Sequence, residues 1–153
     1  MVYPLDIYAI ASRRISDLDP IVAAKCAMHM KLCRDAGIEL MLTSTYRNNK
    51  AQDELYAMGR TAPGYIATAA KGGQSFHNYK VAYDVVPLVA GKAMWDEEHP
   101  SWKIVGFLGK DAGLEWAGDW NRSREYAHFQ YTGGLTIADF QAGKTLQSLR
   151  ASE

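Results

Sequence analysis

The stretch QSFHNYKVAYD, residues 74–84, places a histidine and an aspartate seven positions apart. His77 lies in a polar turn, and Asp84 lies in the apolar run that follows, which has the pattern of a strand. An imidazole nitrogen and a carboxylate oxygen are both zinc ligands, so this stretch could supply two thirds of a metal site. Because seven is an odd spacing, one regular strand would put the two side chains on opposite faces. We therefore expect a turn over residues 78–80 to bring them together.

A third ligand is available in the stretch EYAHFQ, residues 125–130, which carries His128, one of only four histidines in the chain. Two imidazoles and one carboxylate leave a fourth tetrahedral position open for water, as in catalytic zinc sites. Glu125 could serve as general base for that water, and Arg47 could stabilise charge on a scissile carbonyl oxygen. The spacing alone leaves a second interpretation open, in which these are a hydrogen-bonded histidine and ordinary polar residues at strand ends. In that interpretation, Arg47 is a surface salt-bridge partner.

The composition indicates one ordinary globular domain spanning residues 1–153. Hydrophobic residues make up 48% of the chain and charged residues 22%, which argues against disorder. Lys+Arg and Asp+Glu both number 17, so no overall charge favours nucleic acid as a partner. The N-terminus has no basic segment followed by an apolar run, and no stretch reaches the roughly 18 apolar residues of a membrane helix. We expect synthesis in the cytoplasm without a signal peptide, and no membrane insertion.

Periodicity and capping signals outline the elements around the opening stretch. The pattern predicts helices over residues 20–36, 49–58 and 102–112 and from 137 onward, a short helix over 5–11, and strands over 38–45, 81–87 and 126–131. Asp19, Asn48 or Asn49, and Ser101 are the expected N-caps. Residues 60–74 form a long, glycine-containing loop, which in a compact domain is usually functional and often walls a site.

Cys26 and Cys33 are the only cysteines and fall on the first predicted helix. Their separation along a helix would be about 10.5 Å, beyond the roughly 7 Å reach of a disulfide. We therefore expect two buried free thiols, consistent with synthesis in a reducing compartment. His29 borders the same apolar stripe and is interpreted as a packing or surface histidine.

One segment of the chain closely resembles a known family. SFHNYKVAYD, residues 75–84, resembles the Ser-x-His-x-x-Gly-x-Ala-x-Asp signature of zinc D-Ala-D-Ala carboxypeptidases and L-alanyl-D-glutamate endopeptidases. That superfamily shares its fold with the hedgehog signalling domain. The resemblance therefore implies an α+β domain with a small, mainly antiparallel sheet and helices packed around it.

Two further segments match the same family, in the same order. TSTYR, residues 43–47, with Gln52 resembles the family's arginine-bearing segment. GLEWAGDW, residues 113–120, followed by the Glu-x-x-His of residues 125–128, resembles its C-terminal ligand segment. Together the matching segments span roughly residues 18–143, which is nearly the whole chain.

The resemblance implies a zinc site with a role for each matching residue. It implies that His77, Asp84 and His128 are the zinc ligands and that Glu125 is the catalytic acid/base. It also implies that Arg47 binds or polarises the substrate and that Gln52 and Ser75 are pocket residues. Two of these have structural alternatives. Gln52 could complete a capping box with Asn49 as the cap, and Ser75 could serve only the turn.

Lys80 departs from the family signature, which has glycine at that position. If the backbone there requires a positive φ, lysine would cost on the order of 1 kcal/mol. If the backbone is ordinary, the change only brings a cation near the site. The departure affects the loop geometry and none of the three ligands.

The compact GLEWAGDW form resembles phage or prophage endolysins that cut L-Ala–D-Glu bonds. It implies that the partner is the peptidoglycan stem peptide, that attack comes from zinc-bound water, and that the chain acts on the periplasmic cell wall after release through a holin. We expect a monomer. Two other functions remain open: a D-Ala-D-Ala carboxypeptidase, and a non-catalytic zinc-containing module that binds cell wall.

Overall fold

The computed structural model describes residues 12–151, so the helix predicted over residues 5–11 lies outside the described part. Within this part the helices are α1 (Pro20–Asp35), α2 (Asn49–Ala57), α3 (Ser101–Asp111), α4 (Ile137–Gln141) and α5 (Leu146–Ala151). The strands are β1 (Glu39–Ser44), β2 (Ala82–Val89), β3 (Lys92–Ala93), β4 (Glu115–Trp116) and β5 (His128–Gln130). Three short 3₁₀ helices cover Ile15–Asp17, Phe76–Tyr79 and Ala117–Asp119. None of the helices described in residues 12–151 is both long and apolar enough to cross a membrane.

The sheet is antiparallel throughout, which confirms the predicted α+β class. Its order is β1-β2-β5-β4, and β3 pairs with the end of β2. Strand β2 is therefore central and largely buried, because it has β1 on one side and β5 on the other. In this register Asp84 lies opposite His128 on β5 and opposite Ser44 on β1. The pairing alone brings two of the predicted ligands together.

Helix α1 begins where its sequence predicts and ends one residue earlier than predicted, at Asp35. The Asp19 carboxylate accepts a hydrogen bond from the backbone N–H of Ile21 at 2.9 Å, and Pro20 takes the first helical position. The buried face carries Val22, Cys26, His29 and Cys33, which pack on the sheet and on α3. The two thiols are free and buried as predicted.

His29 is a packing residue with its ring fully inside the core. It contacts Phe129 with ring centroids 4.5 Å apart. Its Nδ1 lies 2.7 Å from the Tyr83 hydroxyl and its Nε2 lies 2.8 Å from the Val105 carbonyl. Each ring nitrogen has one hydrogen-bond partner, so the buried, neutral imidazole has no unpaired polar atom.

A register shift in β1 redirects the chain just before the predicted arginine. Leu42 pairs with Val85, but Ser44 already pairs with Asp84, so one extra residue is accommodated between them. Such a bulge bends a strand and changes where the following side chains point. Here it turns the chain out of the sheet, and Arg47 follows three residues later.

Helix α3 approaches the sheet closely because glycines line its inner face. A Cβ at Gly106 would lie 2.5 Å from the Trp116 ring, and one at Gly109 would lie 2.4 Å from the Phe129 ring. The predicted cap of this helix is wrong: Ser101 is its first residue, and the cap position is Pro100. Pro100 already has helical φ and ψ, and the His99 ring accepts a hydrogen bond from the Ser101 N–H at 3.2 Å instead.

Three other predictions concern element boundaries. Asn48, one of the two residues predicted as the cap of α2, is the cap, and its side chain accepts from the Ala51 N–H at 2.8 Å. The strand predicted over residues 126–131 narrows to His128–Gln130, and the strand predicted over 81–87 extends past Pro87 to Val89 because β3 folds back on its end.

Candidate metal centre

Three side chains converge at the point where β2, β5 and the turn before β2 meet. His77, Asp84 and His128 each offer one ligand atom, and all three atoms lie within 4.8 Å of one another. His77 Nε2 is 3.3 Å and His128 Nδ1 is 3.1 Å from the same oxygen, Oδ1 of Asp84. Two ligands held about 2.0–2.1 Å from a tetrahedral metal lie roughly 3.4 Å apart. The spacing around Asp84 therefore suits a small divalent cation.

The local sequence explains how residues seven apart reach one point. His77 stands on the 3₁₀ helix Phe76–Tyr79, which Ser75 and Asn78 cap reciprocally. Lys80 then takes a left-handed conformation with φ of 66°, and the chain enters β2. The turn predicted over residues 78–80 is thus present and has the positive φ for which the family signature uses glycine.

Each histidine presents a lone pair to the centre because the other ring nitrogen is occupied. His77 Nδ1 lies 2.9 Å from the Thr45 carbonyl oxygen, and His128 Nε2 lies 2.8 Å from Oε1 of Gln130. An amide or peptide oxygen only accepts, so each of these nitrogens carries the proton. His77 Nε2 and His128 Nδ1 face Asp84, and in the neutral rings these are the nitrogens that carry the lone pairs a metal would bind. Acceptors of this kind orient the histidine ligands of metal sites.

The electrostatics of Asp84 also suit a cation. Burial opposes its charged form, but the charge and hydrogen bonds of the His77 and His128 rings in their protonated form outweigh burial and hold its pKa well below the usual range. The carboxylate therefore stays ionised in a largely buried position. A buried carboxylate with two neutral imidazoles is the donor set that zinc prefers, so the residues present fit a zinc ion.

Arg47 lies beside this group and is not a surface residue. Its side chain is only 12% exposed, and its Nη2 lies 3.6 Å from Oδ2 of Asp84. The guanidinium also donates to Gln52 at 3.0 Å and to Ser44 Oγ at 3.2 Å. Asp84 therefore turns one oxygen to the histidines and the other to Arg47.

The centre opens into a groove of about 470 Å³. The long loop lines the groove through Ala67, Thr68, Ala70 and Gln74, and Trp120 and Ser123 also line it. The exposed Glu125 lines the same groove, and its charge acts on both Arg47 and His128. The loop over residues 60–74 is thus a wall of the site, as its length predicts.

The two predicted pocket residues are placed differently. Ser75 lines the groove, and its hydroxyl also accepts from the His77 N–H at 3.2 Å, which gives it the structural role in the turn as well. Gln52 is fully buried, and it is not among the described residues that line the groove. The capping box considered for Gln52 is wrong, because the cap is Asn48, one residue before Asn49, and the Gln52 amide bonds elsewhere.

Three contributors to the site were not predicted. Gln130 lies two residues after His128, and strand periodicity puts both on one face, so the sequence did hold a signal for it. Trp120 lies in a segment already matched to the family, and its ring is 5.7 Å from that of His128. Thr45 acts through its backbone carbonyl, which leaves no mark in the sequence.

An α+β domain that holds an aspartate and a histidine on its antiparallel sheet, and a second histidine on the turn before the central strand, has the architecture of a metallopeptidase. A family model of the M15 peptidases, described as D-alanyl-D-alanine carboxypeptidase, matches residues 68–131. The chain is 38% identical over 123 residues to the peptidoglycan L-alanyl-D-glutamate endopeptidase CwlK of Bacillus subtilis (strain 168), covering 75% of this chain and 74% of that protein. The chain therefore belongs to the M15 peptidase family, and it is a metallopeptidase.

Solved structures support the same fold. The L-Ala D-Glu endopeptidase ChiX of Serratia marcescens superposes with a TM-score of 0.60 at 21% identity, covering 87% of this chain and 91% of that chain. The vancomycin-resistance D,D-pentapeptidase VanY, in complex with Zn(II), superposes with a TM-score of 0.58 at 17% identity, covering 81% of this chain and 83% of that chain. At these identities the likeness concerns the fold alone, and it agrees with the predicted DD-peptidase-like architecture.

Proposed function

We propose that this chain is a zinc-dependent peptidoglycan hydrolase that cleaves the bond between L-Ala and D-Glu in the stem peptide. The observation that carries the proposal is the convergence of His77, Asp84 and His128, with one nitrogen of each imidazole facing the same carboxylate oxygen. The L-Ala–D-Glu bond is favoured over a terminal D-Ala because CwlK, at 38% identity, is an L-alanyl-D-glutamate endopeptidase. His77 and His128 would hold zinc through Nε2 and Nδ1, and Asp84 through Oδ1.

When bound, zinc would acidify a water molecule and polarise the scissile carbonyl. In the groove, the Glu125 carboxylate takes a proton from the attacking water as the new C–O bond forms, and delivers it to the leaving amine as the C–N bond breaks. Arg47 stabilises the charge that develops on the carbonyl oxygen. Ser75 lies on the groove wall, where it can bind the peptide backbone.

The test is a digest of purified muropeptides, analysed by mass spectrometry, with and without a chelator. We expect new N-terminal D-Glu fragments, abolished by chelation and restored by zinc. Release of single D-Ala residues with intact L-Ala–D-Glu bonds would instead assign a D-Ala-D-Ala carboxypeptidase.

The Glu125→Gln variant separates catalysis from binding. This variant keeps the size of the side chain and removes the base, so we expect stoichiometric zinc with hydrolysis reduced by a factor on the order of 100 or more. Unchanged hydrolysis by Glu125→Gln would remove the assigned role. A chain that binds wall and zinc but cleaves nothing would be the non-catalytic module.

We further propose a lytic role as a phage or prophage endolysin, in which residues 1–153 act as one catalytic domain and as a monomer on the cell wall. The compact segment over residues 113–120 supports this role through its resemblance to endolysins. Expression in a bacterial host with and without a co-expressed holin tests it. We expect lysis only when the holin is present, and light scattering of the purified protein should give one chain mass.

A further inference from the structure

Gln52 is a buried residue of α2 whose two amide ends bond to different parts of the site. Its Oε1 accepts from Nη1 of Arg47 at 3.0 Å, and its Nε2 donates to the carbonyl oxygen of Ala70 at 2.8 Å. A guanidinium only donates and a peptide carbonyl only accepts, so the two partners agree on a single orientation of the amide. Both polar atoms of Gln52 are therefore engaged inside the protein.

The two partners of Gln52 belong to different functional parts. Ala70 lies in the loop wall of the groove, and Arg47 lies against the carboxylate of Asp84, with Nη2 and Oδ2 3.6 Å apart. A continuous series of polar contacts therefore runs from the groove wall, through Gln52 and Arg47, to a residue of the metal centre. Buried networks of this kind hold their members in one arrangement when every member is satisfied.

We propose that Gln52 is a positioning residue that sets the Arg47 guanidinium and the loop wall in one fixed relation to the metal centre. This inference rests on the proposed function, and it replaces a direct contact between Gln52 and substrate. Arginine has a long, flexible side chain, so its productive placement depends on the groups that bond to it. In this structure, the buried amide of Gln52 bonds both to the Arg47 guanidinium and to the Ala70 carbonyl of the loop wall.

The loop has other anchors, which provide a matched control. The Gly72 N–H donates to Asp53 at 2.7 Å, and Nε2 of Gln141 donates to the Gly73 carbonyl at 3.1 Å. Gln141 is a second glutamine that holds the same loop, but its bond does not reach Arg47. The Tyr79 hydroxyl also donates to the Gly73 carbonyl, at 2.6 Å, so loss of Gln141 leaves that carbonyl satisfied.

The experiment compares Gln52→Met, Gln52→Glu and Gln141→Met by hydrogen exchange of the zinc-loaded protein and by muropeptide kinetics. Methionine fills the space of glutamine without its polar atoms, so Gln52→Met removes both bonds. We expect exchange over residues 67–74 to rise about tenfold or more. We also expect kcat to fall about tenfold or more while KM changes less than about threefold, because Arg47 acts on the transition state.

The Gln52→Glu variant separates the effects of the two hydrogen bonds. A carboxylate still accepts from Arg47 but cannot donate to the Ala70 carbonyl, so we expect the same rise in loop exchange with a smaller loss of kcat. Gln141→Met should leave kcat and KM unchanged, because it does not reach the arginine.

Two results would overturn the inference. The first is a rise in KM alone in Gln52→Met, which would indicate direct substrate binding. The second is loop exchange in Gln52→Met equal to that of the parent chain. The exchange measurement needs no turnover, so a parent chain without hydrolase activity would refute the proposed function while the link between Gln52 and the loop was still tested.

Discussion

Lys80 occupies a backbone conformation that side chains other than glycine rarely take, with φ of 66°. Its ammonium lies 5.1 Å from the centre of the Tyr46 ring, a contact that offsets part of the cost. The turn it ends places His77 against the sheet. The departure from the family signature is therefore a stability cost in a turn that still forms.

The side chain at position 80 should control stability through this φ. We expect Lys80→Val to lower the free energy of unfolding by more than about 1 kcal/mol, because a β-branched residue fits positive φ poorly. Lys80→Gly should be at least as stable as the parent chain. Urea unfolding of the zinc-free proteins measures both, and Lys92→Val at an exposed position is the control. Equal stability of the three proteins at position 80 would show that the turn has an ordinary backbone.

Gln130 should affect metal affinity without touching the metal. Its amide oxygen accepts a hydrogen bond from the Nε2–H of His128. Gln130→Leu therefore leaves that buried N–H unpaired and allows the ring to change tautomer. We expect zinc affinity to fall about 10- to 100-fold in competition with a chromogenic chelator. Gln141→Leu, on the exposed side of α4, should bind zinc as the parent does. Parent-like affinity in Gln130→Leu would contradict the assigned tautomer.

His29 should make stability depend on pH. Burial, only partly offset by its bond to Val105, lowers the pKa of His29 from 6.5 to about 4. Between these values the unfolded chain binds a proton that the folded chain does not. The stability due to neutral His29 is thus complete above about pH 6.5 and is lost as the pH falls toward 4. The loss in the free energy of unfolding over this pH range is on the order of 3 kcal/mol.

Urea unfolding of the parent chain and of His29→Gln at pH 7.5 and pH 4.5 checks this expectation. The difference in stability between the two pH values should be smaller in the variant. An equal difference in both proteins would show that the loss has another source, such as the carboxylates.

The chemistry of the metal centre was predictable from residue types, and its supporting contacts mostly were not. His77, Asp84 and His128 stand out because few other side chains bind zinc, and the structure does bring them together. The acceptor for His77 is the Thr45 backbone carbonyl, which any residue would supply. The resemblance implied a pocket role for Gln52, but its bonds to the loop and to Arg47 depend on tertiary structure, which the sequence does not show.

At the level of elements, a glycine of α3 allows this helix to approach β5, the strand that carries His128. Gly109 lies over the Phe129 ring, so Gly109→Ala would put a methyl group 2.4 Å from that ring. We expect a loss of about 1–3 kcal/mol in the free energy of unfolding, since overpacking must displace the helix or β5. Zinc affinity should fall as well, because β5 moves with Phe129.

Thermal unfolding and zinc titration of Gly109→Ala measure these effects. Lys103→Ala on the exposed face of the same helix is the control and should change neither quantity. A Gly109→Ala protein as stable as the parent would mean that the helix is not in close contact with the sheet.

Local signals predicted the elements better than their arrangement. Asp19 and Pro20 fixed the start of α1 because a cap acts within a few residues. The start of α3 was wrong because Pro100 adopts a helical conformation and the His99 ring supplies the acceptor. The order β1-β2-β5-β4 and the shift between Leu42 and Ser44 depend on pairing between distant segments, for which a single sequence has no local mark.

For the molecule as a whole, the proposed zinc site joins parts of the chain that are far apart in sequence. Asp84 and His128 are 44 residues apart, and they meet only when β2 and β5 pair. A metal that binds the folded chain and not the unfolded one therefore stabilises the entire domain.

We accordingly expect zinc to raise the unfolding temperature of chelator-treated protein. At a free zinc concentration about 1,000 times the dissociation constant, the gain in the free energy of unfolding is about 4 kcal/mol. Asp84→Asn removes the carboxylate charge at nearly constant size and should lose most of this gain. Asp96→Asn, in the exposed segment before α3, should keep it, because Asp96 is not part of the three-residue group. If zinc raised the unfolding temperature equally in Asp84→Asn and in the parent chain, the stabilising ion would bind at another site, because Asp84 would not contribute to its binding.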